Sequence, residues 1–375
     1  MTQLSKASAP ELRDGVEVFL YPQKGEVCQV LFLFLSNRRR LRIDCKPAFS
    51  TLLKEFAKAQ PLVESLSCVG LDLNDETRGF LSFLEEEGII TTSDPLKTEL
   101  LPAVYVEQYK RQIYFLIDVL KSPQRALEVQ KEMFDAHITV FGLGAVGGGI
   151  LQQLCMMGFR RFTLVDYATV DENDIARTPY KIALEVGSPK TEAARALVND
   201  LAFEPTVQVH DVTLMTQTDL SELLQDTSFI VNTADEPYIG YTNIKLSRYA
   251  LENGIPLMAA GGFDAHLASL GELLVPHVTP CADCYATFFD ESLKDWKPIP
   301  HPVKDREGWF GGLGSLSAFS ASTAVLEILS YFMEPDKKES IAGGRGEFLF
   351  HDYSLDAFSV ERDASCQSCG ESGNE

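Results

Sequence analysis

The run "HITVFGLGAVGGGILQQL", residues 137–154, constrains the fold more than any other stretch of this chain. Its first residues read as a buried strand, glycines break the strand, and a helical pattern follows at once. Gly142, Gly144 and Gly147 match G-x-G-x-x-G. The first permits the tight turn, the second lets a pyrophosphate approach the backbone, and the third lets helix and strand pack closely. The helix N-terminus then offers unpaired N–H groups to an anion. A loop of this form serves NAD, FAD or ATP and does not choose among them; a glycine-rich turn without a ligand has the same letters.

Beyond it, "RFTLVD", "TVQVHDV", "FIVNTAD" and "PLMAAGG" each end in small or polar residues and alternate with helical stretches. That alternation predicts an α/β fold over 136–375, a doubly wound, mostly parallel, Rossmann-like sheet, with ligands at the carboxyl ends of its strands. Residues 1–90 read differently. "GVEVFLY", "VCQVLFLFL" and "RRLRID" suit three short strands, and "PAFSTLLKEFAKAQ" and "LNDETRGFLSFLEEEGII" have helical spacing, the latter capped at Asn74/Asp75. These predict a small winged-helix-like α+β domain carrying a basic cluster, Arg38, Arg39, Arg40 and Arg42. Residues 91–135 read as a linker that turns helical.

With 375 residues, 45% of them hydrophobic and 23% charged, the chain is long enough for two domains. A net charge of −21 repels nucleic acid. The N-terminus lacks a signal-peptide pattern, and no run of about 18 apolar residues stands out as a membrane span. The expectation is therefore a cytoplasmic protein without membrane or nucleic-acid partners. Eight cysteines include two C-x-x-C pairs, Cys281/Cys284 and Cys366/Cys369. Each pair aims two sulfurs at one point, as in a Zn(Cys)4 site, but the long gap between pairs leaves redox chemistry or a disulfide open. Cys28, Cys45, Cys68 and Cys155 fall in apolar contexts and are expected to be buried.

Asp166 ends the strand "RFTLVD", nineteen residues after Gly147, where an acid holds ribose hydroxyls. Around it, "VDYATVDENDIARTPY", "EVGSPKTEAARAL" and "VNTADEPY" follow in order, and "EQYKRQIYF" precedes them. These runs resemble the ThiF/MoeB family of E1-like adenylating enzymes over roughly residues 105–375. The resemblance implies that Asp166 binds ribose, Arg177 contacts phosphates, Lys190 contacts the nucleotide and Asp235 binds Mg²⁺. It also implies a homodimer in which Arg111 reaches into the partner's ATP site. The chain departs from the family pattern at Ala145, Ala168, Asp174 and Thr178. Asp174 replaces an asparagine and adds negative charge beside the phosphates of the cofactor-binding set.

The same resemblance implies structural zinc on Cys281, Cys284, Cys366 and Cys369. A carboxylate, ionised at neutral pH with a reference pKa near 4, attacks the α-phosphate of ATP without a general base once cations relieve the repulsion. The products are an acyl-adenylate and pyrophosphate. A winged-helix-like unit ahead of such a domain resembles the layout of microcin-type and pantocin-type peptide-maturation enzymes. That layout implies a ribosomally made precursor peptide, its leader added as a strand beside "RRRLRID" near residues 75–87, and modification of a core carboxyl such as a glutamate side chain. Residues 288–312, with Trp296 and Trp309, are the candidate crossover segment over the substrate. Two alternatives stand: adenylation of a ubiquitin-like sulfur carrier, and an NAD-dependent oxidoreductase.

Overall fold

The structure, a computed structural model, describes residues 9–22, 25–58, 60–91, 95–181, 186–261, 267–292, 294, 312–334 and 344–370. It divides into two compact units, residues 1–128 and 129–375.

The first unit holds β1 (Glu11–Leu12), β2 (Val16–Leu20), β3 (Cys28–Phe34), β4 (Arg39–Cys45), α1 (Pro47–Glu55), α2 (Leu62–Val69), α3 (Asp75–Glu86), β5 (Ile90–Thr91) and α4 (Ala103–Leu120). β2, β3 and β4 form an antiparallel meander. Alternation along β3 turns Cys28, Val30, Phe32 and Phe34 inward. There the last three meet Phe49, Leu52, Leu53 and Phe56 and the α3 residues Leu81 and Leu84 in one core. Asn74 caps α3 by accepting from the Thr77 amide at 3.0 Å. Ion pairs join the ends of α3 and β4: Lys46, just past β4, meets Glu76 of α3 at 2.7 Å, and Arg39 of β4 meets Glu87, just past α3, at 2.8 Å. Among the described residues, the outer edge of β4 pairs with no strand. Within the basic cluster, Arg39 stacks on Phe34 at 4.0 Å and Arg42 stands 5.7 Å from Tyr21. The two-residue strands β1 and β5 pair with each other but are too short to carry a readable alternation.

α5 (Pro123–Asp135) crosses the boundary, and the second unit continues with β6 (His137–Phe141), α6 (Ala145–Met156), β7 (Arg161–Val165), α7 (Lys190–Leu201), β8 (Thr206–His210), α8 (Leu220–Leu223), β9 (Phe229–Asn232), α9 (Ile239–Asn253), β10 (Leu257–Ala259), β11 (Leu267–Ser269), β12 (Glu272–Leu274), α10 (Ala282–Ser292), α11 (Gly314–Met333), β13 (Arg345–Leu349) and β14 (Ser354–Phe358). The predicted doubly wound sheet is present, in the order β12-β10-β9-β6-β7-β8. All of its pairings are parallel except that of the edge strand β12. The chain fills one side of β6 and then crosses to the other at β9. The loops after β6 and β9 therefore face each other at the switch point, where ligands bind in such sheets. β11, β13 and β14 form a second, antiparallel sheet that the sequence reading did not separate out.

Two expectations need correction. α11 is by length and composition apolar enough to cross a membrane, contrary to the reading that no such run exists; it is instead a core helix, 61% buried within the protein. It packs on α6, where a Cβ added to Gly149 would lie 3.0 Å from the Ala321 Cβ. Cys28 and Cys155 are buried as expected, but Cys45 is half-buried and Cys68 is exposed. Cys68 lies on the outer face of the two-turn helix α2, and Cys45 ends an edge strand.

Candidate functional site

The cleft at the switch point is built from backbone outward. Gly142 has φ +83°, a conformation that side chains disfavour. Gly147 sits so close to the turn that a Cβ there would overlap the Gly142 carbonyl oxygen and lie 2.6 Å from Thr233 Oγ1. Gly144 faces open space, leaving its backbone accessible to a ligand. The Asp166 carboxylate clamps the loop: Oδ2 accepts from the Leu143 amide at 2.6 Å and Oδ1 from the Ala168 amide at 2.8 Å. Tyr180 donates its hydroxyl to the Leu143 carbonyl at 2.7 Å, and Thr233 donates to the Gly142 carbonyl at 2.8 Å. Neither Tyr180 nor Thr233 was singled out in the sequence. Their task is to hold a backbone atom, which leaves no motif.

On the far side of the cleft the loop after β9 is fixed by Asn232, wholly buried at the strand end. Its Oδ1 accepts from the Ala234 amide at 3.2 Å, and its Nδ2 donates to Thr242 Oγ1 at 3.0 Å. Thr242 donates in turn to the Ala234 carbonyl at 2.6 Å. This presents Asp235 at the surface of the cleft, beside Glu236.

Gly142, Gly144, Gly147, Asp166, Arg177, Lys190 and Asp235 all line one cleft. Asp174 stands behind it, fully buried. Its Oδ1 lies 3.0 Å from Arg177 and its Oδ2 3.3 Å from Lys190. A capping box in the short 3₁₀ turn Glu172–Ala176 sets its position, with the Asp171 amide donating to Oδ2 at 3.1 Å. Asp174 thus reaches the cleft only through the two cations. Burial, and then the negative charge of Glu236, Asp166 and Asp235, hold the Tyr167 phenol above its ordinary pKa. One end of the cleft is therefore acidic and suited to a cation, while Arg177 and Lys190 supply positive charge nearby. Val212, Thr213 and Leu214, following β8, give it an apolar end. Arg111 belongs to the first unit, exposed on α4. Trp296 and Trp309 lie outside the described residues.

The four C-x-x-C cysteines, 85 residues apart in sequence, converge: their sulfurs lie within 4.8 Å of one another and all are buried. Neighbouring sulfurs are 3.4 to 3.8 Å apart. A tetrahedral site with Zn–S bonds of about 2.3 Å places sulfurs about 3.8 Å apart, so the donor set fits zinc. Burial pushes the Cys281 and Cys284 thiols upward in pKa, so a cation is what would make them thiolates. Around them, Asp283 accepts from Arg248 at 2.7 Å and from Ser368 at 2.6 Å. Arg362 donates to the Cys369 and His277 carbonyls at 3.1 Å.

Residues 109–368 match the ThiF family. Among curated relatives, the SAMP-activating enzyme E1 of Haloferax volcanii is 25% identical over 282 residues, 73% of this chain and 92% of that one. Among solved structures, the microcin C7 biosynthetic enzyme MccB of E. coli, in complex with N-formylated MccA, is 17% identical. It has a TM-score of 0.66 and covers 96% of this chain and 99% of that one. The structure of PaaA has the same identity and TM-score over 94% of this chain and all of that one.

Proposed function

The chain belongs to the ThiF family and is an ATP-dependent adenylating enzyme, and from that premise we propose that it activates a carboxyl group of a ribosomally made precursor peptide. One observation carries this choice of substrate. The likeness to MccB and PaaA covers at least 94% of the chain, whereas the Haloferax relative aligns over only 73%. The extra coverage takes in the N-terminal unit, which on this reading is the part that recognises the peptide. The unpaired edge of β4, with α3 joined to the strand by ion pairs at its ends, suits an added leader strand, and the exposed Arg40 on that edge suits an acidic one.

In the cleft, the adenine packs against Val212–Leu214, Asp166 faces the ribose, and the glycine loop and α6 N-terminus take the phosphates. Arg177 and Lys190 neutralise charge developing between the incoming carboxylate and the departing pyrophosphate. Asp235 is the candidate ligand for Mg²⁺, which supplies further charge neutralisation when bound. The peptide carboxylate needs no base, because it is already ionised. Bond formation to the α-phosphorus and loss of pyrophosphate leave a mixed anhydride, whose carbonyl is open to a second nucleophile within the peptide.

The protein acts as a homodimer in this reading. Arg111 shares the solvent face of α4 with Val104 and Phe115, which are 71% and 51% exposed, a surface that a second copy would cover. Mixing Arg111→Ala and Asp235→Asn chains should restore activity in hybrids; verified hybrids without recovery would remove Arg111 from the site. Zinc on the four cysteines ties the C-terminal segment to α10.

A second reading is favoured by the Haloferax relative: the carboxyl activated is the C-terminus of a ubiquitin-like carrier. Pyrophosphate exchange into ATP separates the two. Exchange is expected with a short leader-bearing peptide encoded beside the gene and not with a carrier ending in Gly-Gly. The reverse result selects the carrier.

A further inference from the structure

α11 forms one wall of the cleft through Leu316, Ser317 and Ser320, and β11 adds Leu267 and Ser269 beside it. A hydroxyl inside a helix either bonds back to the carbonyl one turn earlier or points away from the helix to another partner. Ser322 and Thr323 bond back, donating to Ala318 and Phe319 at 2.9 and 3.2 Å. Ser317 and Ser320, only 6% and 3% exposed, do not: neither hydroxyl has a hydrogen bond among the described residues, and both residues line the cleft. Ser269 is equally buried. Its oxygen accepts from the Gly271 amide at 3.3 Å, which leaves its hydrogen uncommitted. Among the described residues, two hydroxyls without a protein partner and a third with its hydrogen uncommitted stand at the wall of one cleft, where each can donate to an occupant.

The wall's position says which part of a ligand it meets. α11 starts against the cations, since a Cβ on Gly314 would lie 2.5 Å from the Ala176 carbonyl oxygen and 3.2 Å from the Arg177 Cα. At roughly 1.5 Å of rise per residue, Ser317 lies about 4.5 Å and Ser320 about 9 Å farther along the helix axis. The helix thus runs away from Arg177 towards β11. Leu267, Ser269, Leu316, Ser317 and Ser320 carry no charge. A triphosphate selects cations and backbone N–H groups, whereas hydroxyl donors between leucines suit an uncharged acceptor. At the acidic end of the cleft, Asp166, Asp235 and Glu236 disfavour a second carboxylate.

We infer that Ser269, Ser317 and Ser320 form the subsite for the acyl portion of the substrate, their hydroxyls donating to amide carbonyls next to the carboxyl being activated. The inference rests on the adenylation reading and assigns the chemical class of the acid: one embedded in neutral amides, as in a peptide, rather than a free diacid.

The test uses 5′-O-[N-(N-acetylglycyl)sulfamoyl]adenosine, a stable acyl-adenylate mimic, and AMP, each titrated calorimetrically into the full chain. The mimic is expected to bind at least tenfold more tightly than AMP. Ser317→Ala/Ser320→Ala should erase that advantage while changing AMP binding less than twofold. Alanine is the best helix former, so the variant is expected to fold, which its thermal midpoint checks. The N-acetylaspartyl mimic should bind at least tenfold more weakly than the glycyl one. Equal loss for AMP and mimic would return the serines to the nucleotide site, and an unchanged mimic affinity would remove them from the ligand; either overturns the inference. A wild-type chain that binds AMP but gains nothing from the acyl group overturns this subsite alone. A chain that binds neither AMP nor ATP overturns the adenylation reading beneath it.

Discussion

Asp174, with no exposed surface, holds its carboxylate 3.0 Å from the guanidinium of Arg177, a side chain that is 41% exposed at the edge of the cleft. Lys190 shares the same carboxylate at 3.3 Å. A buried anion thus fixes two cations whose other sides are free for a ligand. Removing the buried anion is costly chiefly because Lys190, only 11% exposed, loses its counter-charge. Asp174→Ala should lower unfolding free energy by about 3 kcal/mol, measured in urea, and reduce pyrophosphate exchange at least tenfold. Asp174→Asn retains a capping oxygen and should lose less stability while still losing exchange. Full exchange in both variants would separate Asp174 from the work of the cations.

Gly144 and Gly147 stand three residues apart and should respond oppositely. A methyl at Gly147 overlaps the Gly142 carbonyl, so Gly147→Ala should destabilise by about 3 kcal/mol, the upper end for overpacking. A methyl at Gly144 meets nothing within 4 Å. Gly144→Ala should therefore melt near the wild-type temperature yet bind ATP at least tenfold more weakly, because the added group stands where phosphate approaches. Tight ATP binding by Gly144→Ala would take the phosphates out of this loop.

His137 opens β6, the strand that delivers the glycine loop, and its Nε2 lies 2.9 Å from Thr163 Oγ1. Burial, then the charge of Arg161, hold its pKa below the ordinary histidine value. The unfolded chain therefore takes up a proton first. Stability is full above about pH 6.5 and declines as pH falls from there toward the folded-state pKa. Thermal midpoints between pH 7.5 and 5.5 should show this decline, and His137→Gln should flatten part of it. An identical slope in the variant would assign the decline to other groups.

Metal analysis of the purified chain should find one zinc per chain. Cys366→Ser should lose it and lower the thermal midpoint, because the segment carrying Cys366 and Cys369 is held to Cys281 and Cys284 through sulfur. A metal-free protein with an unchanged midpoint would leave the cluster as four packed thiols.

Legibility in the sequence followed the kind of force involved. β6 to β10, and the residues at their ends, were readable because apolar runs and glycine turns repeat at fixed spacing. That Gly142, Asp166, Arg177, Lys190 and Asp235 line one cleft follows from their places in local motifs at strand ends, which the sheet gathers together. Asn232, Thr233, Tyr180 and Ser320 were not readable. Thr233 and Tyr180 act through contacts across tens of residues, to Gly142 and Leu143, and Asn232 and Ser320 lie in no recognisable motif. Asp174 shows what the motif leaves out: its letters do not tell that it is fully buried and paired with Arg177 and Lys190. α11 was missed as a long apolar helix because its serines break up the apolar run.

The central claim is that the cleft beyond Gly142 joins a carboxylate to the α-phosphate of ATP, and exchange of labelled pyrophosphate into ATP tests it most directly. With the acid partner present, the wild-type chain should incorporate label, and Asp235→Asn, altered at an exposed position, should remain folded and incorporate none. ATP that is bound but yields ADP and phosphate, or an Asp235→Asn chain that exchanges like the wild type, would contradict the claim.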